Sequence, residues 1–238
     1  RGTAANQDGH TNGIMLPGEK AQTRLVREAC VDAGIDPADV GYVEAHGTGT
    51  AVGDPIEARA LGTVLGRGRP VEDPLLIGSV KSNLGHLEAA AGVAGLAKAI
   101  LAVNRGVIPA NRGYENPNPH IPFANLRLKV VAEPTAWPGD DAPRIAGVSS
   151  FGFGGTNAHV VVESPPSLQA QPPVPQDDSV VTTLVVTGKT KERVAAWAGE
   201  LADWINGPGA VVDLAQVAHT LNHHRTQHPV FATVCARD

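Results

Sequence analysis

The chain has 238 residues, of which 42% are hydrophobic and 18% charged, a globular balance with apolar material for one large domain or two small ones. Its formal net charge of −5 speaks against nucleic acid or an anionic membrane surface as the main partner, since both need a basic excess. No apolar run approaches the length of a membrane span, and two cysteines, Cys30 and Cys235, make no disulfide framework. A reducing, cytoplasmic compartment is therefore expected. The chain opens on Arg1 with no signal pattern and no initiator Met, so a processed chain or a piece of a longer one is expected.

The first predicted element is a helix over 18–34. Leu25, Val26, Cys30 and Val31 fall at helical spacing and Gly34 can end it. Asp36 and Pro37 form a turn, and a short strand over 40–45 leads into His46. A second helix starts at Asp54. Asp54 can cap it, Pro55 suits its first turn, and Glu57 can close a capping box. An apolar run over 75–80 reads as a buried strand. Residues 86–103 read as a buried helix that Gly92 and Gly95 allow to pack closely. Four prolines make 106–124 loop. Strands over 145–149 and 159–163 flank a glycine turn over 151–155. Strands alternating with helices give an α/β layered fold. Residues 164–178 carry five prolines and read as a stiff connector. Beyond it lies a smaller unit: strand 180–187, helices 191–205 and 212–221, strand 230–235.

Three segments could carry chemistry. In the first, His46 ends a strand and is followed by Gly47, Thr48, Gly49 and Thr50. Glycines there let backbone approach a ligand, and the two hydroxyls lie on one side of an extended loop. In the second, Lys81 ends a strand and His86 starts a helix. A helix N-terminus disfavours imidazolium, so His86 is expected to stay neutral. In the third, glycines around Phe151 and Phe153 make a turn whose N–H groups can point at an oxyanion. Each segment has a plainer reading: a buried histidine beside a tight turn, a solvated lysine with a capping histidine, and a hairpin with two core phenylalanines. Each follows a strand, however, so all three can meet at one sheet edge.

Together and in this order they resemble the β-ketoacyl synthase (ketosynthase) family. His46 matches the His of its HGTGT segment, Lys81 and His86 those of its KSNLGH segment, and residues 151–157 its FGFGGTN turn. Further matches lie at 6–9, 53–57 and 92–95, and the resemblance covers 1–163 almost without a gap. It is strongest to type I modular polyketide synthases, and residues 213–221 resemble their ketosynthase-to-acyltransferase linker. The resemblance implies the C-terminal half of a thiolase-like fold over 1–163, a connector over 164–179, and a small, incomplete α/β linker domain over 180–238. It implies decarboxylative condensation of a cysteine-bound acyl group with a malonyl-type extender on acyl carrier protein. His46 and His86 would act on the extender, with Lys81 behind them. Thr48 and Thr50 would bind the pantetheine arm, and Phe153 would supply an oxyanion N–H and a gate. No cofactor binds directly; substrates ride on the carrier's phosphopantetheine. Partners would be the acyl carrier protein, the acyltransferase domain, the N-terminal half and a second copy in a homodimer.

The main departure is the missing nucleophile. The family cysteine lies well upstream of the HGTGT segment; Cys30 lies on a helix's apolar side and Cys235 in a strand, both expected to be inert packing. The segment alone is therefore expected to be inactive. A smaller departure is Gly95, where stand-alone members often carry a glutamate; Glu88 is not assigned that role. His219, His223, His224 and His228 are read as a solvated helix end, with no metal site. The rival reading is a non-catalytic or split domain serving as a scaffold, dimer or carrier-docking partner. A third is a cysteine-independent thiolase-like hydrolase.

Overall fold

The structure is a computed structural model that describes residues 1–11, 13, 16–139, 143–165 and 181–236. It divides into two compact units, Arg1–Ser167 and Leu168–Asp238. Most of the expected proline connector, residues 166–179, lies outside the described residues.

The first unit runs β1 (Gly2–Gln7), α1 (Glu19–Ala33), β2 (Tyr42–Glu44), α2 (Gly53–Val64), β3 (Leu75–Gly78) and α3 (Lys81–Leu84). It continues with α4 (Ala91–Arg105), β4 (Val107–Ile108), α5 (Phe123–Leu126), β5 (Leu128–Val130), β6 (Thr135–Ala136), β7 (Ile145–Phe151) and β8 (Thr156–Glu163). Six strands form one mixed sheet in the order β1-β8-β7-β2-β3-β5. Strands β7, β2, β3 and the edge strand β5 are mutually parallel, while β8 returns antiparallel to β7 and β1 antiparallel to β8.

Strand alternation sorts the core. Val43 and Ile145 face α1 and α2, joining Val26, Ala29, Cys30, Leu61 and Val64. Tyr42 and Ala146, one residue away on each strand, face α4 and join Ala99, Ala102 and Val103. Helices thus cover both faces of the sheet. Gly34 ends α1 in the left-handed region (φ +63°), where an N–H can reach the Cys30 and Val31 carbonyls. Val31 itself is 76% exposed, contrary to expectation. The buried stripe runs through Leu25, Val26, Ala29, Cys30 and Ala33, and position 31 lies a further 100° around the helix.

Cys30 is buried within that stripe. Burial, with the nearby Asp36 charge adding, pushes its thiol up to about 11. Cys235 is exposed, not packed, because its strand presents mostly open positions. Both are free thiols. Iodoacetamide at pH 8 is expected to label Cys235 in the native chain and Cys30 only after denaturation, read by peptide mass spectrometry. Rapid native labelling of Cys30 would contradict this packing.

The second unit comprises β9 (Thr182–Gly188), α6 (Lys191–Ile205), α7 (Leu214–His223) and β10 (Val230–Ala236). The strands pair antiparallel. Leu184 packs with Val217, Ala218 and Leu221 of α7. Asp213 caps α7 by accepting the Ala215 N–H, so that helix starts two residues later than expected. His219 stacks near His223 with ring centroids 4.8 Å apart, and its Nε2 lies 3.2 Å from that of His224. Among the described residues, no group of three or more potential ligands is arranged to hold a metal. Among them, too, no helix is long and apolar enough to cross a membrane.

Candidate active site

Because β2, β3 and β7 are parallel neighbours, their C-terminal ends open on one edge of the sheet. His46 follows β2, Lys81 follows β3, and Phe151 ends β7. The three segments meet there. The His46 and His86 ring centroids are 5.6 Å apart and nearly perpendicular; those of His46 and Phe151 are 5.2 Å apart.

The His46 loop is held by a residue whose role differs from the sequence expectation. Glu57 closes no capping box. Its buried carboxylate accepts the His46 N–H at 2.8 Å and the Gly47 N–H at 2.9 Å. The helix begins one residue early, at Gly53, and has no side-chain cap. Asp54 instead accepts the Gly49 N–H at 3.0 Å. Local spacing favours a capping box, but the loop's unpaired N–H groups lie over the first turn and take both carboxylates. Gly47 adopts φ +47°, and a Cβ there would lie 2.8 Å from Ser79 Cβ, so no larger residue fits. Thr48 and Thr50 hydroxyls are 3.4 Å apart, and Thr50 Oγ1 also accepts the Gly53 N–H.

Backbone groups fix both imidazoles. The Phe151 N–H donates to His46 Nδ1 at 3.3 Å. The Glu88 N–H donates to His86 Nδ1 at 3.0 Å. A neutral ring that accepts at Nδ1 carries its proton on Nε2. Burial, then the Lys81 charge, then His86 push His46 down to about 4, so it is neutral at pH 7. Lys81 is lowered by burial, against which Glu57, Glu44 and Asp54 act in that order.

His86 does not begin a helix. It lies in the loop 85–87, after α3 and before a 3-10 turn at Glu88–Ala90, and α4 starts only at Ala91. Gly85 at φ +75° and Glu88 at φ +50° bend the chain away from helical geometry. The histidine's partner is thus a single backbone N–H rather than a helix terminus.

The glycine turn is a β-hairpin connection between β7 and β8. Phe153 at its tip is 71% exposed rather than core. Among the described residues no carbonyl accepts its N–H. The turn is anchored by residues to which sequence reasoning gave no role. Asp8 N–H donates to the Gly155 carbonyl at 2.8 Å, and Asn157 Nδ2 donates to Asp8 Oδ1 at 2.7 Å. Asp8 lies in the matched segment 6–9, so the motif was the available signal. Glu44, the first residue of the segment 44–50, was likewise given no role and is buried at 2% exposure.

Two family models match the chain almost end to end. The β-ketoacyl synthase C-terminal domain matches residues 1–115, and the ketoacyl-synthetase C-terminal extension matches 117–232. The chain belongs to the β-ketoacyl synthase family and has its thiolase-like fold. Within that family it is the C-terminal ketosynthase portion, with linker extension, of a type I modular polyketide synthase. It is 62% identical over 237 residues to a phenolphthiocerol/phthiocerol polyketide synthase of Mycobacterium tuberculosis, covering 100% of this chain and 13% of that protein. A second phenolphthiocerol/phthiocerol polyketide synthase polypeptide of the same organism is 54% identical over 241 residues, with 11% of its length covered. Among solved structures, the ketosynthase from module 6 of the Bacillus subtilis bacillaene synthase is 38% identical with a TM-score of 0.72, covering all of this chain and 40% of that one. The oxazolomycin ketosynthase domain of Streptomyces albus is 33% identical with a TM-score of 0.73, covering 99% and 41%.

Proposed function

We propose that this segment supplies the decarboxylation half of a ketosynthase active site. In the complete domain an acyl group sits on a cysteine of the N-terminal half, and a malonyl-type extender arrives on acyl carrier protein. Loss of carbon dioxide builds enolate charge on the extender's thioester oxygen. His46 and His86 donate Nε2–H hydrogen bonds to that oxygen, and Lys81 supports them. The carbanion carbon then attacks the cysteine thioester, the C–S bond breaks, and a β-ketoacyl thioester stays on the carrier. Thr48 and Thr50 bind the pantetheine arm. The Phe153 N–H joins the oxyanion hole of the cysteine step and its ring gates the entrance. The chemistry is that of an acyltransferase of the condensing type.

One observation carries the reading. Two imidazoles 5.6 Å apart each have Nδ1 occupied by a backbone N–H, which leaves two preformed Nε2 donors at one sheet edge. Fixed donors stabilise developing charge without reorganising during the reaction. In the complete ketosynthase, His86→Ala is expected to slow carbon dioxide release from a malonyl thioester by about a hundredfold. Unchanged release would remove His86 from the reaction.

Val93, Ile100 and Leu101 of α4 are exposed, with Leu84 and Leu87 just before the helix. An apolar face of this kind supports a packing partner, and we assign it to the N-terminal half that carries the nucleophile. Without that half the segment does not condense, and incubation with an acyl thioester is expected to leave Cys30 unmodified. An acyl mass shift on Cys30 would refute this. The acyltransferase domain, a second copy in a homodimer and a cytoplasmic setting complete the reading. So does a division into a ketosynthase part over 1–163, a connector over 164–179 and a linker domain over 180–238.

A further inference from the structure

Glu44 ends β2 two residues before His46, and 2% of it is exposed. A carboxylate so deep persists only with counter-charge and hydrogen bonds. Lys98 Nζ, from α4, lies 2.7 Å from Glu44 Oε2. The Tyr42 hydroxyl donates to the same oxygen at 2.7 Å and accepts from Lys98 Nζ at 2.9 Å. Tyr42 and Glu44 share a face of β2 because strand side chains alternate. The other oxygen, Oε1, accepts the backbone N–H of Val80, the residue that opens α3. Two glycines make the room. A Cβ at Gly78 would lie 2.9 Å from the Tyr42 hydroxyl, and one at Gly95 3.1 Å from Glu44 Cγ. Glu44 therefore fills the space toward which a side chain at 95 would project.

We propose that Glu44 is a positioning residue for Lys81 and His86: its carboxylate pins the start of the segment that carries both and sets the charge around the Lys81 ammonium. The proposal rests on the ketosynthase reading above and adds a residue to it. The charged and titratable groups around Lys81 are Glu44 on β2, Asp54 and Glu57 on α2, and His46. Lys98 faces Glu44 from α4, and His86 follows Lys81 on its own segment.

The test uses the complete ketosynthase and carbon dioxide release from a malonyl thioester. Glu44→Gln with Lys98→Met removes both buried charges together, so neither is left unpaired. The kcat is expected to fall about tenfold or more while KM changes little. The alkaline limb, where Lys81 loses its proton, moves to lower pH because a carboxylate that favoured the ammonium is gone. Returning the carboxylate from the helix, as Glu44→Ala with Gly95→Glu, is expected to restore kcat to within about fivefold and the limb toward its original place. A first variant that melts like the parent yet keeps its kcat and alkaline limb overturns the proposal. If that variant does not fold, the second decides: recovered kcat and limb support the proposal, and an inactive folded protein overturns it. His46→Ala run alongside separates the two levels. Full release by His46→Ala sinks the ketosynthase reading itself. Abolished release, with both Glu44 variants like the parent, sinks this inference alone.

Discussion

His46→Ala in the complete ketosynthase is expected to lower carbon dioxide release from malonyl-carrier protein by about a thousandfold, with the protein folded and still able to take up an acyl group. The expectation follows from the ring's setting. His46 loses its Nε2–H donor on truncation, and with it the ring that sits 5.6 Å from His86 and 5.2 Å from Phe151. A lysine or arginine would restore charge but not a neutral donor at that point. The pH dependence adds a second check. With His46 held down to about 4, its protonation leaves the rate flat from pH 6 to 8 and depresses it only toward the acid end. The measurement is radiolabelled carbon dioxide release across that range. Wild-type release by the alanine variant, or an acid limb centred near 6.5, would show that the ring is not the buried neutral donor described.

Glu57→Gln is expected to act mainly on the loop that carries His46, and through stability as much as rate. The amide has one acceptor oxygen for two backbone N–H groups, and its NH2 opposes the second. Leaving such a donor unsatisfied costs about 1–3 kcal/mol. The pH dependence has a definite sign. Burial pushes Glu57 up from 4.5 to about 7, ahead of the backbone hydrogen bonds that oppose the rise. A carboxyl raised in this way binds its proton more tightly folded than unfolded. Its contribution is full below pH 4.5 and is lost as pH rises toward 7, on the order of 3 kcal/mol in all. His46 and His159, each lowered to about 4, act oppositely: theirs is full above pH 6.5 and lost as pH falls through 4. The experiment is therefore the difference in stability between parent and Glu57→Gln at pH 5 and pH 7.5. The parent's advantage should be larger at pH 5. Equal differences at both would mean that Glu57 does not titrate in this window.

Sequence spacing alone gave most of the helices. Glu19–Ala33 and Lys191–Ile205 declare themselves through an apolar stripe and a capping residue or glycine at the end. The three site segments were also legible, since each follows a strand and carries glycines at turns. What was missed depends on distant partners. The Gly2–Gln7 segment has small and polar residues, and its strand character comes from pairing with β8, Gly2 opposite Val161 through Gln7 opposite Thr156. Glu57 satisfies a local capping pattern and is claimed by a loop 10 and 11 residues away. The plainer reading of Phe153 as core fails because the hairpin's tip holds it in the open. In each case tertiary hydrogen bonding or exposure overrides a preference that local spacing states correctly.

The bond from Phe151 to His46 also governs what substitution at 151 can do. Its donor is main-chain, so any amino acid but proline at 151 can supply it. The imidazole's proton address is thus written in the hairpin's course and not in the aromatic side chain beside it. Variation at 151 can reshape the neighbourhood of the ring while leaving which nitrogen carries hydrogen untouched.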